Sequence, residues 1–390
     1  MIRVLAMLLC TGYTLFAQTQ SPSPPKKIPR LPRTLPLTKF YDTPDPLPAG
    51  KPGQAIRSEP FYEYQLSYEV SAFRILYHSR SPNGQDVAVS GVVLLPRGTP
   101  PSNGWPVIAW AHDFTGSARQ CAPSLRSNLT DAPLLSMYAS LGYAVVASDY
   151  AGLGTSFPHA ALDVQSNALD VIYSVPAARA VFPQLGTRWI AAGYSHGGLV
   201  AARVAEDAGE LVGPDYLGSV AISGVAEPKE FFERLARGAS FSALVFLAKG
   251  IKTVFPEFHP YEMLTDKAMA LYEYIGIACE ASSGPQPAAD EMLKPGWENN
   301  RFVEEFFTRN SPGHKPFSLP LLVISADADS EAPSALAASV VARLCRQKDR
   351  VLFVKYPGHS TSSVLGDSIS EQISWIRSRF AGLPAPSNCS

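Results

Sequence analysis

Apolar positions fall into two regimes along the chain. From about residue 68 onward, short β-branched runs alternate with longer stretches whose apolar residues return every three or four positions. The apolar-rich segments 70–77 and 87–95 flank Pro82-Asn83-Gly84, a turn signal that predicts a β-hairpin. Behind it, 107–111, 144–148, 189–192, 219–222, 321–325 and 351–354 read as strands, with 133–141, 164–180 and 198–208 as intervening helices. These strands are almost continuously apolar, as expected where helices cover both faces of a parallel sheet. The pattern predicts an α/β fold: a mostly parallel sheet with helices on both faces, opened by an antiparallel hairpin.

One block breaks the alternation. Residues 225–317 are rich in helical and aromatic positions, including 241–247 and 302–307. A structureless loop of that length is unusual, so the block is expected to be a helical cap inserted above the sheet, dividing the core into 61–224 and 318–390. Before the hairpin, residues 18–60 carry 11 prolines, which remove backbone donors and push preceding residues to extended conformations. An extended arm with no packed domain is expected there. Still earlier, Arg3 precedes an apolar run over 4–16 and Ala17 closes it, the pattern of an export signal cleaved after Ala17. That run is shorter than the roughly 20 residues a membrane span needs. Cys10, preceded by Leu9 where a small residue is wanted, is a poor lipidation site.

Composition narrows the partners. With 33 basic against 34 acidic residues, a net charge of −1 and no long single-sign run, nothing points to a phosphate-tracking surface, and nucleic-acid binding is not expected. Export leaves four cysteines, Cys121, Cys279, Cys345 and Cys389, in an oxidising compartment, whether outside the cell or periplasmic. Four cysteines allow three pairings, or they remain buried free thiols. No His/Cys spacing resembles a metal site, so neither metal nor cofactor is expected.

The sharpest chemical signal is Gly193-Tyr194-Ser195-His196-Gly197-Gly198, a G-x-S-x-G motif between an expected strand and an expected helix. Such a turn carries a serine nucleophile at the carboxyl edge of an α/β-hydrolase sheet. A hydroxyl alone is a weak nucleophile, so a base and an orienting carboxylate are required downstream in the order Ser, Asp, His. His359, in the loop after the strand 351–354, is the expected base. The acid should follow the strand 321–325, where Asp327, Asp329 and Glu331 compete. Asp329 is favoured because it lies four residues before Pro333, with Asp327 left to satisfy the turn. Oxyanion donors are expected from the His196 amide and from the loop holding Asp113 and Phe114. Asp113 stands where a glycine is common, and an ionised carboxylate there would repel the oxyanion, so it would act through its main chain or as the protonated acid. Asp149, Tyr150, His159 and Asp163 precede the nucleophile and are read as loop and pocket-wall residues.

Three segments taken together, Cys121-Ala122-Pro123-Ser124, the run from Ser148 through Asp149-Tyr150-Ala151-Gly152-Leu153 to Gly154, and the motif around Ser195, resemble the secretory lipase family, the group of yeast lipase A-like enzymes within the α/β-hydrolases. The resemblance spans about residues 68–380. It implies a cap over an acyl pocket and associates an aspartate at the position of Asp113 with the oxyanion hole. The expected activity is hydrolysis of a small-molecule ester or lipid through an acyl-enzyme. A peptidase or acyltransferase can use the same triad, and a non-catalytic binder would not need nucleophile, base and acid in this order. Topology favours pairing Cys121 with Cys279, tethering the loop beside the oxyanion hole to the cap, and Cys345 with Cys389, pinning the C-terminal tail.

Overall fold

Strands that are for the most part buried along their length assemble a single nine-stranded sheet in the order β1-β2-β3-β5-β4-β6-β7-β8-β9. The computed structural model describes residues 33–237, 241–277, 279, 288–317, 319–328 and 334–389. The expected leader 1–17, the first part of the arm, Asp329 and Glu331 lie outside them. From Arg33 onward the chain forms one compact unit.

Strands β2 (Val70–Arg80) and β3 (Asp86–Pro96) pair antiparallel about the Pro82-Asn83-Gly84 turn. The next strand along the sheet, β5 (Ala144–Ser148), is antiparallel to β3. From there β4 (Trp105–Ala111), β6 (Leu185–Tyr194), β7 (Tyr216–Ile222), β8 (Leu321–Ala326) and β9 (Val351–Tyr356) continue in parallel. The α/β-hydrolase architecture read from the sequence is the observed one.

Period-two alternation sends successive side chains of β4 to opposite faces. Val107, Ala109 and Ala111 pack on one side with Val171 and Val175 of α2 (Val164–Val181) and Val200 and Val204 of α3 (His196–Val212). Ile108 and Trp110 pack on the other with Leu135 and Tyr138 of α1 (Ala132–Ser140) and Ile373 and Ile376 near the C-terminus. Each face is thus sealed by its own helical layer. Between β7 and β8 run α4 (Pro228–Arg237), α5 (Phe241–Val254), α6 (Asp266–Ile277), α7 (Ala289–Met292) and α8 (Arg301–Asn310). They bury a separate apolar cluster that includes Leu244, Phe246, Ile251, Phe258 and Phe306.

Beyond residue 33 the arm lies against the rest of the chain and adds one strand that periodicity does not predict. Ala55–Phe61 forms β1, antiparallel to β2 at the sheet edge. Pro60 is compatible with that place because an edge strand leaves one row of N–H groups unused. Upstream, Leu35 N–H donates to Leu125 O at 2.7 Å, and the buried Tyr41 hydroxyl lies 2.8 Å from Ser124 Oγ. Apolar side chains among the prolines, Leu35, Phe40 and Tyr41, therefore dock the arm. Both expected disulfides form, Cys121–Cys279 and Cys345–Cys389.

Candidate active site

The end of β6 turns into α3 within one residue. Ser195 makes that turn with φ 53° and ψ −121°, a region disfavoured for any residue with a side chain. Its flanking glycines are required by contact. A Cβ on Gly193 would lie 2.1 Å from Gly197 O, and one on Gly197 would lie 2.0 Å from Ala111 O. Neither backbone neighbour has room to yield, so β4, β6 and α3 approach this closely only with glycine at both positions. The Ser195 amide donates to Ile222 O at 2.8 Å, which fixes the turn against β7.

Beside the serine, the loop after β4 brings in Asp113. Its Oδ1 accepts the Phe114 N–H at 2.7 Å and the His196 N–H at 3.2 Å, and the Ser195 hydroxyl also hydrogen-bonds to this carboxyl. Two main-chain donors from different loops thus converge at one point next to Ser195. Burial raises the Asp113 pKa, with the three hydrogen bonds working against that rise. Behind the loop, His112 stacks on Tyr150 at 4.1 Å, and the Tyr150 hydroxyl donates to His112 O at 3.0 Å. Asp149 is buried and accepts from the Ser90 hydroxyl at 2.6 Å and the Ser124 N–H at 2.9 Å. Asp149 and Tyr150 therefore brace the floor rather than line the cavity. His159 likewise binds Ala151 O at 2.8 Å, and Asp163 caps α2 and pairs with Arg309 of α8 at 2.8 Å.

A cavity of about 470 Å³ opens on Ser195. The helices between β7 and β8 supply much of its apolar wall, with Phe231, Phe232 and Leu235 from α4 and Phe306 from α8 beside Phe114 and Leu199. Cys279 also lines it, so the first disulfide joins the cavity wall to the segment carrying Cys121. Sequence reasoning missed Ser223, Thr361 and Asn310, which also border the cavity. Ser223 has φ 49°, and its hydroxyl donates to Thr361 Oγ1 at 3.0 Å. No motif announces them, because β7, α8 and the loop after β9 meet only in the folded sheet.

The loops after β8 and β9 run side by side. Ala328 N–H donates to His359 O at 3.0 Å, and Asp327 Oδ1 accepts the Gly358 N–H at 2.6 Å. His359 sits two residues before Thr361 of the cavity wall. Its imidazole places Nδ1 2.9 Å from Pro357 O and Nε2 3.3 Å from Asp367 Oδ2. In this arrangement the ring is bonded to Asp367 and not to Ser195. Asp329, two residues beyond Asp327, lies outside the described residues.

Comparison with known proteins follows the same lines. Residues 120–388 match the secretory lipase family. Lipase 6 of Candida albicans is 25% identical over 442 aligned residues, covering all of this chain and 89% of that protein. Candida antarctica lipase A in its closed state superposes with a TM-score of 0.77 at 18% identity, over 92% of this chain and 90% of that one. The rice cell wall degrading esterase LipA of Xanthomonas oryzae gives 0.69 at 21% identity, over 85% and 98%. At such identities the two structural likenesses establish the fold alone. The family match covers well over half the sequence and contains the turn that carries Ser195, so the chain belongs to the secretory lipase family and is a carboxylic ester hydrolase of the lipase and esterase type.

Proposed function

We propose that this is an exported serine ester hydrolase acting on small esters or lipids, with Ser195 as nucleophile, His359 as general base and Asp329 as the carboxylate that orients it. One observation carries the reading: Ser195 stands on a strained strand-to-helix turn beside two converging N–H donors, Phe114 and His196, at the mouth of an apolar cavity. That is the geometry a tetrahedral oxyanion needs. Ser195 Oγ attacks the ester carbonyl carbon while its proton passes to His359. The oxyanion settles on the two amides, the protonated imidazole returns its proton to the leaving alcohol, and water repeats the sequence on the acyl-enzyme.

Two adjustments accompany substrate entry. The carbonyl oxygen takes the place of Asp113 Oδ1, and burial, which raises the Asp113 pKa, lessens the charge that this carboxyl sets against the oxyanion. The His359 ring turns from Asp367 toward Ser195. Export rests on the leader 1–17 and agrees with the two disulfides.

Labelling with a fluorophosphonate, followed by peptide mapping, tests the assignment. Ser195 is expected to carry the label, and Ser195→Ala and His359→Ala should each abolish turnover nearly as fully as the double variant, since triad losses do not add. Retention of most activity in His359→Ala would remove it as the base.

A further inference from the structure

The residue after the nucleophile normally contributes only its main-chain N–H, yet here it carries an imidazole. The His196 ring is partly buried, edge-on to Tyr150 at 6.3 Å, and the residue borders the cavity that opens on Ser195. Its Nε2 sits 3.0 Å from Asn167 Nδ2 on α2; with the amide nitrogen as donor, Nε2 accepts and the ring proton is on Nδ1. Nδ1 makes no hydrogen bond to any described residue, and His196 is among the residues that line the cavity. Burial holds the ring neutral, with its pKa lowered to about 3.

We propose that His196 is a specificity-determining residue whose Nδ1–H binds an oxygen carried on the acyl chain close to the scissile carbonyl, so that the preferred substrates are esters of oxygenated acids such as 3-hydroxyacyl esters. The inference rests on Ser195 being the nucleophile. An acyl chain bonded to Ser195 passes its immediate sequence neighbour within its first few carbons. When a plain hydrocarbon chain expels water from the cavity, the Nδ1–H is left without a partner, and a buried donor without a partner is costly. An oxygen on the third carbon restores the bond. Sites built to bind a substrate oxygen discriminate against the analogue lacking it far more strongly than apolar pockets discriminate by size.

The test compares the two enantiomers of the 4-nitrophenyl ester of 3-hydroxyoctanoic acid with the octanoyl ester, each rate divided by that of the same ester with hydroxide to remove intrinsic reactivity. For the wild-type enzyme the better enantiomer should exceed octanoate at least tenfold in kcat/KM. In His196→Phe, which keeps the ring volume and the main-chain N–H, that ratio should fall to about one. In Asn167→Leu, which releases the ring tautomer, it should fall below half the wild-type value. The ratio is internal to each protein, so losses common to both esters cancel. Should His196→Phe fail to fold, the wild-type ratio and Asn167→Leu carry the test. A wild-type ratio near one, or a ratio that survives in His196→Phe, overturns the proposal while leaving Ser195 labelling intact. Absence of both labelling and turnover in folded wild-type protein overturns the nucleophile assignment with it.

Discussion

Ser195 holds a backbone conformation that costs a residue with a side chain roughly 1–3 kcal/mol, and its neighbours hold it there. Gly197→Ala should show how tightly. The added Cβ meets Ala111 O at 2.0 Å and Ala111 C at 2.6 Å, both backbone, so the turn must shift. A stability loss of about 1–3 kcal/mol and a drop in kcat/KM of about a hundredfold are expected from a melt and an activated-ester assay. Gly209→Ala, in the same helix but with open space around it, is the contrast and should gain up to about 1 kcal/mol. Equal effects at both positions would show that close packing at the turn is not the constraint. The two aspartates after β8 separate in the same way. Asp327 Oδ1 is occupied by Gly358 N–H, a bond that Asp327→Asn retains through its own carbonyl oxygen, so that change should cost about 1 kcal/mol or less. Asp329→Asn should slow acylation by about ten-thousandfold, the loss typical of a triad without its carboxylate. A severe rate loss confined to Asp327→Asn would move the acid to that position. Ser195 was legible in the sequence because its constraint is local, two glycines and a strand-helix boundary. The bonds from Asp113 to Phe114 and His196 were not, because they depend on how β4 and β6 lie side by side.

At the level of elements, the same distinction explains what periodicity could and could not reveal. Buried parallel strands and amphipathic helices carry their burial in the residues themselves, so the hairpin and the alternation behind it were readable to within a few residues. Strand β1 was not, since its sequence, Ala-Ile-Arg-Ser-Glu-Pro-Phe, is polar and contains a proline, and only its pairing with β2 makes it a strand. The attachment of α6 beside the site is also tertiary. Cys279 bonds to Cys121 across 158 residues of sequence, the Ser117 hydroxyl donates to Gly276 O at 3.0 Å, and Gln120 Nε2 donates to Ile277 O at 3.0 Å. On the chain-entropy model a loop of that length confers about 5 kcal/mol, against about 4 kcal/mol for the loop closed by Cys345–Cys389 across 44 residues. Paired serine substitutions at Cys121 and Cys279 should therefore lower Tm more than those at Cys345 and Cys389, and only the former should also change the rate on long acyl esters. Identical activity profiles in the two variants would show that the cap holds its place over the cavity without the first bond.

For the whole molecule, burial sets two opposing responses of stability to pH. His159 is buried, and desolvation lowers its pKa to about 4. The unfolded chain takes up that proton near pH 6.5 and the folded chain only near pH 4, so this contribution is lost as pH falls between the two. Asp170 responds the other way. It is fully buried beneath the sheet edge, accepts the Ser79 hydroxyl at 2.5 Å and the Ala151 N–H at 2.8 Å, and has its pKa raised by desolvation to about 7. The folded state keeps this proton to a higher pH than the unfolded state, so its contribution is full below about pH 4 and lost as pH rises through 7. Asp170→Asn removes the titration while preserving the bonds, because the amide oxygen accepts from Ala151 N–H and the amide N–H donates to Ser79 Oγ. Relative to wild type, the variant should gain stability between pH 5 and pH 8, by up to about 3 kcal/mol, one pKa unit being worth about 1.4 kcal/mol and the window covering about two units below pH 7. Denaturant unfolding of both proteins at the two pH values measures the difference directly. A gap between variant and wild type that stays constant with pH would mean that Asp170 is ionised in the folded protein, and that its two hydrogen bonds outweigh the cost of burying the charge.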